Sequence, residues 1–282
     1  MAKFPRTMVG GCSVSRLIIG TNWFLGFSHR TPAKDGFIKE HMDEGKITEI
    51  LVTFFNAGVD SIMGPLSQYP FMDSAIKRAE DRTGVGCIRI NTPFLNVADT
   101  DAARAEAART LDRVAALGTT LCLPHHSCVE QLVDRGSRTI RRLEYYTGLI
   151  RERNMIPGLS AHMPEVVVYA DQMEADVETY IQIYNPIGFL MQLEVEWVAR
   201  IIHQAKKPVM TIKPMAAGRV TPFVGLNFVW NTIREQDMVT VGTMSPREAA
   251  EVVEYSLAAL ERRFPLIGSR GTPSKQTIIS KE

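Results

Sequence analysis

The sequence predicts a single α/β barrel of eight parallel strands. Three observations predict it. Short runs rich in Ile, Val and Leu recur eight times. Longer segments with helical periodicity lie between many of them. The runs are mostly apolar rather than alternating, as strands buried on both faces are. A chain of 282 residues matches the size of such a closed (β/α)8 or TIM barrel. An open doubly wound sheet would carry a G-x-G-x-x-G turn after its first strand, and GTNWFLGF (20–27) is not one.

The eight runs, in order, are RLIIGT (16–21), VDSIMG (59–64), GCIRIN (86–91), TTLCLP (119–124), MIPGLS (155–160), TYIQIY (179–184), PVMTIK (208–213) and MVTVGT (238–243). ITEILVTFFNAG (47–58) is a helix stopped by Gly58. Residues 99–118 are rich in Ala and Arg, open on Asp and end at Gly118. Residues 129–154 predict one long helix, broken or bent at Gly136. MQLEVEWVARIIHQAKK (191–207) has apolar residues at i, i+3 and i+4. SPREAAEVVEYSLAALERRF (245–264) opens with a Ser cap and a Pro at the first helical position. No linker divides the chain, so residues 1–265 form one barrel domain and 266–282 a polar tail.

Composition narrows the function classes. Apolar residues make up 45% and charged ones 22%, as in a globular protein. A net charge of +1 with no basic face argues against nucleic acid as a partner. No apolar stretch reaches the ~20 residues of a membrane span, and the first residues lack a signal-peptide core. A cytoplasmic protein with a small-molecule substrate is the expectation; the oligomeric state is open. Cys12, Cys87, Cys122 and Cys128 show no CxxC pairing and read as reduced thiols. The C-x5-C spacing of the last two is a weak zinc signal.

Such a barrel places its site at the C-terminal ends of the strands. The residues following the runs therefore matter. They include Asn22, Trp23, His29, Met63, Gln68, Tyr69, Asn91, Thr92, His125, His126, Ser160, His162, Gln182, Lys213, Arg219, Thr243, Ser245 and Arg247. Four of the six histidines fall there, while His41 and His203 read as surface or packing residues. If the strand alternation runs through LCLPHHSC (121–128), one of His125 and His126 faces the mouth and the other packs away. The inward one would lie near His162, because neighbouring strands are ~5 Å apart. Proton transfer there would titrate near the histidine pKa of ~6.5. His125, His162 and His29 together could bind zinc, manganese or iron. No acidic residue stands at a strand end beside them; Asp60 and Glu165 are the nearest candidates.

Six phrases, in order, resemble those of the aldo-keto reductases: SVSRLIIGTNWF, NAGVDSIMGPLSQYP, IPGLSAHMPEVV, YIQIYNP, KPMAAGR and VGTMSPREAAEVV. They cover nearly the whole chain. The resemblance implies the same barrel and an NAD(P)-dependent oxidoreductase acting on a small carbonyl or sugar-like substrate. The family's catalytic Asp, Tyr, Lys and His fall here on Met63, on Gln68 with Tyr69 adjacent, on or near Asn91, and on His125 or His126. Without Lys and Asp beside it, a tyrosine is a weak acid at neutral pH, so standard carbonyl reduction is not expected. The family's carboxamide contacts would come from Ser160 and Gln182. Its phosphate contacts would come from Thr243, Ser245 and Arg247 at a helix N-terminus, with Lys213 and Arg219 as a second anionic contact. An iron–sulfur cluster is not expected. The alternatives are a lyase, isomerase or hydrolase that uses the strand-end histidines, with or without a divalent metal, and a ligand-binding barrel without catalysis.

Overall fold

Each apolar run becomes a parallel strand, and the strands close on themselves. In the computed structural model, residues 3–267 are described; the greater part of the 266–282 tail lies outside them. Barrel strands 1 to 8 are Leu17–Gly20, Ser61–Gly64, Ile88–Asn91, Leu121–Cys122, Ile156–Ser160, Tyr180–Ile183, Val209–Ile212 and Met238–Val241. Strand 5 is split at Gly158: Ile156–Pro157 pairs with strand 4 and Leu159–Ser160 with strand 6. Strand 8 pairs with strand 1, Val239 opposite Leu17 and Val241 opposite Ile19, so no edge is left open. Gly158 is required by packing, since a Cβ there would lie 2.8 Å from Leu123 Cγ and from Thr179 Cγ2.

Two layers of core follow from the strand alternation. Ile18, Met63, Ile90, Leu121, Ile181, Met210 and Met238 point inward and fill the barrel. Leu17, Ile19, Ile62, Cys122, Tyr180, Val209 and Val239 point outward under the helices. The N-terminal end of the barrel is closed by a hairpin, Arg6–Val9 and Cys12–Ser15, turning at Gly10 and Gly11 with φ of +53° and +82°. Val9 and Val14 of this hairpin join the inner core. The Gly-Gly turn between RTMV and CSVS was its sequence signal.

The predicted helices appear as Glu44–Asn56, Asp101–Ala116, Val195–Gln204 and Pro246–Leu260. Ser245 caps the last by accepting from Glu248 N at 3.1 Å. The long helix expected over 129–154 is two helices, His126–Leu132 and Leu143–Arg151. A small hairpin, Val133–Asp134 with Thr139–Ile140, separates them. Asp134 Oδ1 takes the Gly136 and Ser137 amides and makes the turn; a side chain that bonds its own backbone two residues on competes with helix. Further helices stand at Pro32–His41, Pro70–Thr83, Glu165–Gln172 and Pro222–Thr232. His41 ends the first of these, stacked on Phe37, and His203 holds Thr232 O at 2.9 Å, so both pack against their own surroundings. Among the described residues no helix is long and apolar enough to cross a membrane.

Candidate functional site

The C-terminal mouth of the barrel opens into a cavity of about 630 Å³. Its walls come from residues that end the strands or follow them, among them Asn22, Trp23, Gly64, Thr92, His125, Ser160, Lys213 and Thr243. Met63 and Tyr69 also line it. Most of the lining surface is apolar, with polar side chains set into it, as in small-molecule sites.

The histidines form a row. His125 stacks on Phe94 with centroids 4.1 Å apart and leans on His126 at 4.1 Å; His126 in turn stacks on His162 at 3.7 Å. Both members of the adjacent pair therefore reach the cavity, which corrects the expectation of one inward and one outward ring. The chain leaves strand 4 at Cys122, and His125 is already the N-cap of the helix His126–Leu132. Strand alternation no longer applies there. His125 Nδ1 meets Ser127 Oγ at 2.8 Å and takes the Ser127 amide at 3.3 Å.

The sequence reading missed Glu130. It stands four residues after His126, which is one helical turn on the same face. Glu130 Oε1 accepts the amides of His162 at 2.6 Å and Met163 at 3.2 Å, so it ties the strand-5 loop to this helix. Its Oε2 lies 3.5 Å from His126 Nδ1, an electrostatic contact rather than a good hydrogen bond. Burial pushes the Glu130 carboxyl up, but its contacts with His126 and the His162 amide reverse this and hold it below the usual range. Asp60 and Glu165 are elsewhere, paired with Arg6 at 2.7 Å and Arg135 at 2.7 Å.

Burial, with His126 and Lys213 nearby, keeps the neighbouring rings uncharged. The His162 pKa falls to about 3 and that of His125 to about 4. Titration near 6.5 at these two rings is thereby corrected.

The trio of described residues close enough to share a cation is His126, Glu130 and His162, whose ligand atoms lie within 4.8 Å of one another. It is not the set His125, His162 and His29. Even so, the His126 and His162 ring planes are 20° from parallel, with centroids 3.7 Å apart. A metal sits in the plane of each imidazole about 2 Å from the nitrogen, and two such planes share no point that near. The residues as arranged do not fit a metal; one ring must turn first. Cys122 and Cys128 do not line the cavity: Cys122 lies under the helices and Cys128 Sγ accepts the Leu95 amide.

Opposite the row stands Lys213. Its Nζ lies 2.8 Å from His29 Nε2. Burial pulls its pKa down to about 8, and burial with Lys213 beside it lowers that of His29. The backbone here is strained: φ is positive at Lys213 (+61°), Ala216 (+49°), Ala217 (+55°) and His29 (+56°). Non-glycine residues in this region cost of order 1–3 kcal/mol each and gather at functional sites. Arg30 holds the strand-7 loop by donating to Ala217 O at 2.8 Å and to Gly218 O.

Several expected contacts turn away. Asn91 is buried outside the barrel, its amide 3.4 Å from Thr119 Oγ1, and Thr92 takes the mouth position. Gln182 points under the helices, as the strand alternation requires, and reaches no cavity. Arg219 stacks on Phe189 at 4.1 Å. Arg247 is exposed and lies 3.5 Å from Glu251. Ser160 and Thr243 do line the cavity.

The helix N-terminus expected to hold a phosphate already holds a carboxylate. Glu248 Oε2 accepts the Met244 amide at 2.7 Å while Ser245 Oγ accepts the Glu248 amide, a variant of the capping box. Glu248 and Glu251 both line this end of the cavity. Like charges there oppose a dinucleotide phosphate, so the residues present do not fit that cofactor as the resemblance implied.

No family model and no curated protein matches the chain. Solved structures do. A protein from Pseudomonas aeruginosa provisionally described as an aldo-keto reductase is 18% identical over 90% of this chain and 95% of its own, with a TM-score of 0.64. Aldose reductase from Giardia lamblia is 10% identical over 99% and 92%, with a TM-score of 0.53. Orotidine 5'-monophosphate decarboxylase from Methanocaldococcus jannaschii is 16% identical over 85% and 97%, at 0.52. The class that the fold defines is the (β/α)8 barrel, with aldo-keto reductase-like neighbours among several chemistries.

Proposed function

We propose that this protein is a barrel enzyme acting on a small carbonyl compound by proton transfer, of lyase or isomerase type, without a nicotinamide. The observation that carries the reading is the convergence of Lys213, His29, His125, His126 and His162 in one cavity. Uncharged imidazoles can hydrogen-bond a carbonyl oxygen and polarise it. Lys213 with His29 supplies a proton donor and acceptor already in contact. Met63, Thr92 and Tyr69 all line the mouth, and among the described residues no charged group pairs with that phenol.

Exchange of α-protons in heavy water tests this. Small ketones, 2-oxo acids and sugar phosphates are incubated with the protein and followed by NMR. Protein-dependent exchange that disappears in His126→Ala and His162→Ala supports the reading. NADPH-dependent carbonyl reduction at enzymatic rates, with no exchange, would replace it by the second reading. That reading is a divergent nicotinamide-dependent reductase, favoured by Ser160 in the cavity wall and by the likeness of fold.

A further inference from the structure

We propose that Lys213 is a nucleophile that forms a covalent imine with the carbonyl carbon of its substrate. This rests on the proton-transfer reading above and deepens it. Four observations carry it. First, Lys213 directly follows barrel strand 7 and stands half-buried in the wall of a cavity large enough for a small organic molecule. Second, the nearest polar partner is an imidazole, His29 Nε2 at 2.8 Å; among the described residues no carboxylate pairs with it. A structural lysine in a wall is ordinarily paired with an acid, because an unpaired buried ammonium is costly. Third, the residue is held at φ +61° in a loop with two more strained alanines, so the fold maintains an unfavourable backbone to keep it there. Fourth, burial makes the neutral amine accessible near neutral pH, as imine chemistry needs.

His29 is in contact with this amine, and the charge of Lys213 reaches His125 and His162 across the cavity; Asp35, on the helix Pro32–His41, and Arg219 act on His29. Asp35 is engaged by Ser28 at 2.8 and 2.5 Å, and among the described residues no ion pair joins Lys213 to a carboxylate.

The step balances without a redox partner. His29 accepts a proton from the ammonium. The free electron pair of Nζ attacks the carbonyl carbon, forming a C–N bond as the C=O π pair moves onto oxygen, and a proton shed by Nζ passes to that oxygen. The resulting carbinolamine loses its hydroxyl as water when His29 returns the proton, leaving a protonated imine. That cation draws electrons from the adjacent C–H bond; the released proton passes to the imidazole row and returns to carbon, restoring the protonated imine. Water then reverses the first steps and frees the lysine.

Reductive trapping tests the inference on the full chain. The protein at pH 7 is treated with propanal and cyanoborohydride, then digested and mapped by mass spectrometry. The same is done with a 2-oxo acid and a small ketose. Trapping adds the mass of the carbonyl compound less one oxygen. From the neutral fractions of an amine of pKa about 8 and one near 10.4, Lys213 should react roughly two hundredfold faster than exposed lysines. Propanal labelling that favours Lys213 early and is lost there in Lys213→Arg supports the proposal. Labelling spread evenly over the lysines, or sparing Lys213, overturns it. If α-proton exchange persists while Lys213 is never trapped, the imine is wrong and the proton-transfer reading stands. If exchange is absent as well, both fall.

Discussion

His126 and His162 stack face to face, with ring centroids 3.7 Å apart and planes 20° from parallel. Two imidazolium ions cannot share that geometry, so the stack belongs to a state with at least one neutral ring. Its consequences reach stability, metal binding and chemistry.

Acid should destabilise the protein well before its carboxylates titrate. His125 and His162 take up protons in the folded chain only near pH 4 and 3, but in the unfolded chain near 6.5. Their contribution is therefore complete above about pH 6.5 and lost as the pH falls toward 4. At pH 5 each should cost roughly 1 kcal/mol, after allowance for its partial exposure. Thermal melts at pH 7 and pH 5 measure this. A melting temperature that does not move, or that moves equally in His162→Asn, contradicts it.

Divalent metal should not bind tightly to the ring stack. One equivalent of zinc or manganese should leave the melting temperature unchanged, because coordination by His126 and His162 requires a ring to turn out of the stack. Copurification of a stoichiometric ion, lost in Glu130→Gln, would show that the rings do turn.

Glu130 should matter for folding as well as for the site. Glu130→Ala leaves the His162 and Met163 amides without their acceptor, at a cost of about 2 kcal/mol. Glu130→Gln keeps an acceptor oxygen and should recover much of that loss. Denaturant titrations of the two variants give the comparison, and equal destabilisation would mean that the charge, not the hydrogen bonds, is what counts.

Lys213 should hold its place at the expense of stability. Its pKa is lowered from 10.5 to about 8, so the burden of a buried ammonium is full below pH 8 and gone above about 10.5. Lys213→Met should therefore stabilise the protein at pH 7 by about 2 to 3 kcal/mol, and the gain should fade as the pH rises through that window. A variant that is less stable at pH 7 would show that the His29 contact outweighs the desolvation.

Simple aldehydes with NADPH should be turned over very slowly or not at all. Met63 stands where the resemblance expects an acid, and Asn91, nearest the expected lysine, faces out of the barrel. A spectrophotometric assay that found rates on the order of 1 per second or more would reinstate the reductase.

The eight strands, their order and the end that opens into the cavity were legible in the chain because they depend on local patterns. An apolar run bounded by turn residues such as RLIIGT or MVTVGT declares a buried strand whatever surrounds it, and eight of them leave a barrel as the way to remove both edges. The presence of His125, His126, His162, His29 and Lys213 at the mouth followed from the same register. What the sequence could not fix was where the strand ended and the helix began. That boundary decided that both adjacent histidines enter the cavity, and it made Glu130 their neighbour by helical spacing. The Lys213–His29 pair joins residues 184 positions apart, and nothing local to either predicts it. The desolvation that shifts the histidines and Lys213 arises only when the barrel closes and water is excluded from its mouth. The tertiary structure decided the charge states for that reason: they depend on the solvent removed and the neighbours brought close.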